Sequence, residues 1–413
     1  MSRLEELLEY VSEHNDFYKD IIKKCGIKNP IDINQYPILT RRILQTNRYN
    51  MFSEGYKMQY YDLQLRRKAS SGSSGIPVNV YWDNTSYFSA IREIWTKRSQ
   101  YYGINVLDKQ LSFALNGFNT SGNSNNVSYI NSPKNILNIN FSTVHKNNDY
   151  LHMIDLISEF QPDWIYIRPF VLQKLMELYD RFNIPTPSSV KYIESHGEIL
   201  TIELQQQAMD FFKVPVANMY GSEEINTIAY ECPYHNMHVL NNSVFVECQN
   251  ENGVFTNGKG EAIVTSLANK AMPLIRYNQG DEIILSQLTE PCLCGSHSPI
   301  IKKIIGRVID IIKIDDGYEL NATLFLEIMA EVNNHYGGII TGYKYIYQKS
   351  TKVIQCHIEI DYKRRQWYTI VKKTIDEVFR RRVPLSLGIK LIVVENNNIS
   401  DFNKKNRIFE IVL

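Results

Sequence analysis

Apolar positions along the first 230 residues follow two alternating periods. Residues 85–99 (TSYFSAIREIWTKRS) set Tyr87, Ile91, Ile94 and Trp95 on one face of a predicted helix. A second helical run covers about 149–159, and the short run Trp164-Ile165-Tyr166-Ile167 reads as a strand. A helix carrying Val171, Leu172, Leu175, Met176 and Tyr179 follows, and the order repeats in VKYIES, TIELQQQAMDFF and VPVANMYG. Strands alternating with helices of this length predict a parallel sheet with covering helices. From Val244 the texture changes: VFVEC, the turn QNENG and EAIVTSL read as antiparallel hairpin strands. At 306–320 (GRVIDIIKIDDGYEL) the pair Asp316-Gly317 marks a tight hairpin. Beyond it come a helix near 322–335, a strand near 353–360, an amphipathic helix near 366–382 and the strand IKLIVV. The expected class is α/β, with a large N-terminal domain over 1–305, mixing parallel strands, covering helices and antiparallel strands. A small α+β domain over 306–413 follows.

A length of 413 residues agrees with two or three domains. With 45 Lys plus Arg against 44 Asp plus Glu, the net charge is +1, which removes bulk attraction to nucleic acid or an anionic membrane. No stretch approaches 18 uncharged apolar residues, so no spanning helix is expected. The first 26 residues intersperse charge with Leu, Val and Ile and lack a leader's apolar run, so the expected location is cytoplasmic. There, six cysteines are expected as metal ligands, catalytic groups or core residues rather than disulfides.

Four short segments carry candidate chemistry. In Ser70-Ser71-Gly72-Ser73-Ser74-Gly75, two glycines allow close backbone approach and four serines add hydroxyls, a combination suited to a polyphosphate. Alone, the same run also reads as a linker. Tyr220-Gly221-Ser222-Glu223-Glu224 follows a strand-like run, where a carboxylate can hold Mg²⁺ or merely face solvent. In Arg276-Tyr277-Asn278-Gln279-Gly280-Asp281, Asp281 is placed to accept hydrogen bonds from vicinal ribose hydroxyls. The fourth segment starts at Gly306-Arg307. Separately, Cys232, Cys292 and Cys294 with His235 or His238 offer a Cys₃His donor set for a structural Zn²⁺.

In this order, SSGSSGIP, YGSEE, RYNQGD and GRVIDIIK, with a lysine near the C-terminus, resemble the motif series of the adenylate-forming acyl-CoA ligase superfamily. The likeness is to its phenylacetate-CoA ligase-like branch, from about Arg66 to Arg407. It implies attack of a small carboxylic acid, aryl or hydroxylated, on ATP to give acyl-AMP and pyrophosphate, then transfer to a thiol or an amine. By the same resemblance, Ser70 to Gly75 hold phosphates, Glu224 binds Mg²⁺, and Asp281 and Arg307 bind ribose. Gly197, Glu198, Tyr220, Gly221 and Ser222 lie near adenine, and Lys404 is the adenylation lysine, delivered by a mobile C-terminal domain. The branch's metal site matches Cys232, His238, Cys292 and Cys294. CoA or a phosphopantetheine carrier protein is the implied thiol partner, and a dimer is compatible. The chain departs from the pattern at Ile76, Glu223, Ile309 and Asn403. Ile76 and Glu223 motivate a second reading, a nucleotide- or acyl-adenylate-binding protein that has lost adenylation.

Overall fold

The computed structural model describes residues 2–412 except 63, 70–77, 115–121, 125–126, 133–134, 142–143, 145–146, 199, 306–310, 315–317, 322, 337–338, 361, 384 and 397–408. Its chain divides into two compact units. The first comprises Met1–Thr40, Tyr49–Arg66 and Tyr81–Arg307, and the second Arg41–Arg48, Arg67–Val80 and Val308–Leu413.

Among the described residues, fourteen strands of the first unit form one sheet. In one half of it, Ile136–Asn140, Gln110–Ala114, Trp164–Ile167, Tyr192–His196 and Val216–Ser222 lie side by side and parallel. Trp164–Ile167 and Tyr192–His196 are rich in aromatic and β-branched residues, and both of their faces are covered, as parallel strands require. Consecutive side chains point to opposite faces. Ile165, Ile167 and Ile193 pack under the helices Asn147–Phe160, Pro169–Arg181 and Ile202–Phe212. Trp164, Tyr192 and Ala217 meet Ile94 of the helix Asn84–Tyr102 on the other face. The side-chain oxygens of Asp83 and Thr201 cap two of these helices, accepting from the amides of Ser86 and Leu204.

Beyond Val216–Ser222 the sheet turns antiparallel through Asn226–Glu231, Met237–Val239, Ile300–Ile305, Tyr277–Ser286, Gly258–Ser266 and Val244–Asn250. The change of texture expected at Val244 therefore begins earlier, at Asn226. Arg276, buried in this region, bonds Glu247 through Nε and Nη2 at 3.1 and 2.9 Å. Its Nη1 donates to the carbonyl of Tyr36 at 2.9 Å, tying the N-terminal segment to the sheet.

The helix Asn84–Tyr102 is where the hydrophobic pattern misleads most. Its buried positions are Ser86, Ala90, Ile94 and Arg98, while Tyr87, Ile91 and Trp95 are only partly covered. Arg98 drives this rotation. Its guanidinium makes two hydrogen bonds to the fully buried Glu194, at 2.8 and 2.6 Å. Tyr192 and Tyr230 donate their hydroxyls to the same carboxylate at 3.3 and 3.1 Å. A polar residue thus occupies the inward stripe because its partner lies inside.

The second unit is two-layered. Its described strands run Lys390–Glu395, Val353–Ile360, Ile340–Gln348 and Phe409–Val412 in spatial order. Val353–Ile360 alternates strictly, burying Ile354, Cys356, Ile358 and Ile360, which join one core with Phe325, Val371, Ile375 and Val378. The helices Thr323–His335 and Tyr368–Arg382 supply those partners. The expected hairpin pairs Ile311–Ile314 with Tyr318–Asn321, while Asp316-Gly317 lies outside the described residues. Among the described residues, several cations of this unit are matched: Arg380 pairs with Asp376, Arg381 and Arg382 with Glu331, and Arg365 with Glu395.

Replacing Arg98 by Met should leave Glu194 buried without its cation and cost about 3–5 kcal/mol. Denaturant unfolding should show that loss, and an Arg98→Met, Glu194→Leu pair should recover much of it.

Candidate active site and metal-donor cluster

Open parallel sheets place ligands beyond the carboxyl ends of their strands. Here three neighbouring strands deliver polar groups to that edge. Trp164–Ile167 leads into Arg168, Tyr192–His196 into Gly197 and Glu198, and Val216–Ser222 into Glu223 and Glu224. Gly221 must be glycine, because a Cβ there would stand 2.3 Å from the Asn226 carbonyl oxygen. Gly197 adopts a φ of +78°, the region that glycine reaches without strain.

Two sequence segments some sixty residues apart meet at this edge. The Tyr220 hydroxyl donates to Asp281 Oδ2 at 3.0 Å and accepts from Gln279 Nε2 at 2.6 Å. The Tyr277 hydroxyl donates to Glu224 Oε1 at 3.0 Å, and Glu224 is buried. Tyr220 is thereby joined to Asp281, and Glu224 to Tyr277 of the same strand. Glu223 is exposed. Ser70, Ser71, Gly72, Ser73, Ser74, Gly75, Arg307 and Lys404 lie outside the described residues.

Beside the motif residues Glu198 and Ser222, this edge carries Arg168, His196 and Asn226, which the motifs do not include. His196 stacks on Tyr166 with ring centroids 3.7 Å apart and planes 5° from parallel. Burial, then the nearby charges of Arg168 and Arg98, hold its pKa well below the ordinary imidazole value, so the ring is neutral. Burial raises the Glu198 pKa against the opposing pull of Arg168, whose Nη1 lies 3.9 Å from Glu198 Oε1. His196 Nε2, Glu198 Oε1, Ser222 Oγ and Asn226 Nδ2 are buried and find no hydrogen-bond partner among the described residues. Each such group costs roughly 1–3 kcal/mol when left unsatisfied, a cost that a polar ligand or water at this edge would relieve. Its one sequence signal is position: Arg168 and His196 directly end predicted parallel strands.

The cysteines form a second centre in the same unit. The ligand atoms of Cys232, His238, Cys292 and Cys294 all lie within 4.8 Å of one another. Cys232 and Cys292 sulfurs are 3.9 Å apart, and Cys294 Sγ is 3.3 Å from His238 Nε2. His238 Nδ1 is 3.2 Å from the Ser298 carbonyl oxygen, which selects the tautomer whose Nε2 lone pair faces the sulfurs. Burial keeps that ring neutral and lifts the Cys232 thiol to about 12, a cost that a bound cation would reverse. Asn236 Nδ2 and the Tyr101 hydroxyl reach Cys292 and Cys294 sulfurs at 3.3 and 3.6 Å. Three sulfurs, one neutral imidazole and donors to the sulfurs suit a tetrahedral Zn²⁺ with no open position. The sequence left His235 and His238 as alternatives. His235 is exposed and bonds Glu231 Oε1 at 2.8 Å instead.

No family model matches the chain. Protein CapK of Staphylococcus aureus is 24% identical over 311 residues, covering 74% of this chain and 66% of that protein. Phenylacetate-coenzyme A ligase of Thermus thermophilus is 29% identical over 191 residues, 44% of this chain and 42% of that protein. The matched stretches thus span just under two thirds and under half of these curated relatives. The structure of 2-hydroxyisobutyryl-CoA ligase in its postadenylation state with R3-HIB-AMP aligns with a TM-score of 0.60 and 15% identity, over 99% of this chain and 88% of that one. The open conformation of that ligase with 2-HIB-AMP and CoA gives 0.57 and 15%, over 98% and 89%. The chain is thus similar in sequence to CapK and to a phenylacetate-coenzyme A ligase, and it shares the fold of an acyl-CoA ligase. The fold of these ligases is the mixed sheet with covering helices described above. Among the described residues, no helix is long and apolar enough to cross a membrane.

Protein purified without added chelator should carry about one zinc per chain by elemental analysis. His238→Ala should lose the ion, whereas His235→Ala should keep it.

Proposed function

We propose that this chain catalyses ATP-dependent adenylation of a small carboxylic acid, aryl or hydroxylated, releasing pyrophosphate, and then transfers the acyl group to a thiol. CoA is the favoured acceptor, with a phosphopantetheine carrier or an amine as alternatives. One observation carries the reading: the YGSEE and RYNQGD segments converge, through Tyr220, Gln279 and Asp281 and through Tyr277 and Glu224, at the ligand-bearing edge of the sheet. Support for a CoA acceptor comes from the ligase of the same fold whose structure holds both 2-HIB-AMP and CoA.

In this proposal Asp281 accepts from the ribose hydroxyls, and Tyr220, itself held by Gln279, keeps its carboxylate in place. Glu224, oriented by Tyr277, is the protein ligand for Mg²⁺, which supplies charge neutralisation on the phosphates. Gly197, Glu198, Gly221 and Ser222 border the adenine. Ser70 to Gly75 cradle the outer phosphates, Arg307 contacts the ribose, and Lys404 provides the ammonium for the adenylation step. Displacement at the α-phosphate needs mainly alignment and neutralised charge, which these residue types supply. The domain division proposed for this cycle is 1–305 and 306–413, with the smaller part delivering Lys404.

Exposed Glu223, one residue before Glu224, favours the second reading in one respect, since it adds negative charge beside the proposed phosphate positions. Pyrophosphate exchange with a panel of aryl, hydroxy and amino acids separates the two. Exchange with at least one acid is expected, and Lys404→Ala or Glu224→Gln should lower it by roughly a hundredfold or more. Nucleotide binding with no exchange across the panel would establish the catalytically silent alternative.

A further inference from the structure

Glu231 sits immediately before the metal-donor Cys232, yet its side chain serves a different part of the sheet. The antiparallel pair Asn226–Glu231 and Val216–Ser222 ends in register at Tyr230 opposite Met219. One residue further, the facing backbone amide of Asn218 donates to Glu231 Oε2 at 2.6 Å. A side chain thus continues the ladder where backbone pairing stops. Gln205 Nε2, from the helix Ile202–Phe212, donates to both carboxylate oxygens at 3.0 Å, and His235 Nδ1 lies 2.8 Å from Oε1. The Glu231 carbonyl oxygen accepts from the Tyr102 hydroxyl at 3.0 Å. Glu231 is 6% exposed, so these bonds form away from water and are correspondingly strong.

We propose that Glu231 is a positioning residue that links cation occupancy of the Cys232, His238, Cys292 and Cys294 cluster to the placement of strand Val216–Ser222. Nucleotide affinity at Tyr220 to Glu224 then depends on the ion. This rests on the reading of that edge as a nucleotide site. Pinning the Cys232 sulfur to a cation fixes the 231–232 peptide, and the Glu231 carboxylate transmits that constraint to Asn218. Asn218 lies two residues before Tyr220 on the same strand, and strand residues two apart share one face. Without the ion, the Cys232 loop loses its fourfold anchor, and Glu231 and its Asn218 contact gain freedom. Thermodynamic reciprocity requires nucleotide to tighten cation binding by the same factor.

The test uses the full chain, Zn²⁺ and AMP. Calorimetry compares AMP affinity of zinc-loaded and zinc-stripped protein, and amide exchange follows residues 216–222 in both forms. In the unmodified protein, zinc should raise AMP affinity by about fivefold or more and slow exchange along 216–222. Glu231→Gln replaces an acceptor facing two N–H donors with an amide, and should retain zinc while losing both zinc effects. An equal zinc effect on exchange in Glu231→Gln and the unmodified protein would overturn the proposal, as would its absence from the unmodified protein. If Glu231→Gln fails to hold zinc, Gln205→Ala replaces it: a reduced zinc effect supports the link and a full one refutes it. Absence of AMP binding in every form would instead overturn the nucleotide reading, with zinc-dependent exchange at 216–222 deciding the coupling alone.

Discussion

A guanidinium and a carboxylate enclosed by the sheet and its covering helix set the frame of the first unit. Stripping water from either ion costs several kcal/mol, so Arg98 and Glu194 are tolerable inside only together and with their remaining hydrogen bonds filled. Those bonds come from Tyr192 and Tyr230, on strands flanking Val216–Ser222. The helix Asn84–Tyr102 is therefore fixed in rotation and in position along the sheet. Arg98 also lies over the Trp95 and Trp164 rings, 4.5 and 5.2 Å from their centroids, so the charge is packed as well as paired.

That fixed helix ends in Tyr101 and Tyr102. One hydroxyl reaches Cys294, and the other reaches the Glu231 carbonyl oxygen. Tyr102 stacks on Tyr192 at 4.3 Å, which returns the contact to the buried pair. The metal-donor cluster and the polar strand ends are thus two outlets of one hairpin, Val216–Ser222 and Asn226–Glu231. Its turn carries Glu224 and its far end leads into Cys232. The antiparallel half of the sheet adds Tyr277, Gln279 and Asp281 from the side, so the candidate site straddles the junction between parallel and antiparallel strands.

Much of this was legible beforehand where burial and local period agree. Trp164–Ile167, Tyr192–His196 and Val216–Ser222 are short apolar runs between amphipathic helices, and a buried parallel strand has little other way to appear. Val353–Ile360 alternates because only one of its faces meets helices. The pattern failed on the helix Asn84–Tyr102, where an inward arginine breaks the rule that apolar residues mark the core. No local signal announces that Arg98 will meet a glutamate ninety-six positions later. The same limit hid His196 and Arg168, single polar residues whose meaning comes from the strand ends beside them.

The sequence by itself determined the class of fold, the order of strands and helices, and the residue types available for chemistry. These follow from local periodicity, turn residues and motif order, which short stretches of chain can encode. Tertiary structure alone decided which of those residues meet. It chose His238 over His235 because only His238 lies on the strand facing Cys294, while His235 is drawn to Glu231. It joined Tyr220 to Asp281 and Tyr277 to Glu224 across the sheet, and it made Glu231 an internal acceptor for a strand amide. Such pairings depend on distances between residues far apart in the chain, which packing of the whole sheet establishes and no local pattern records.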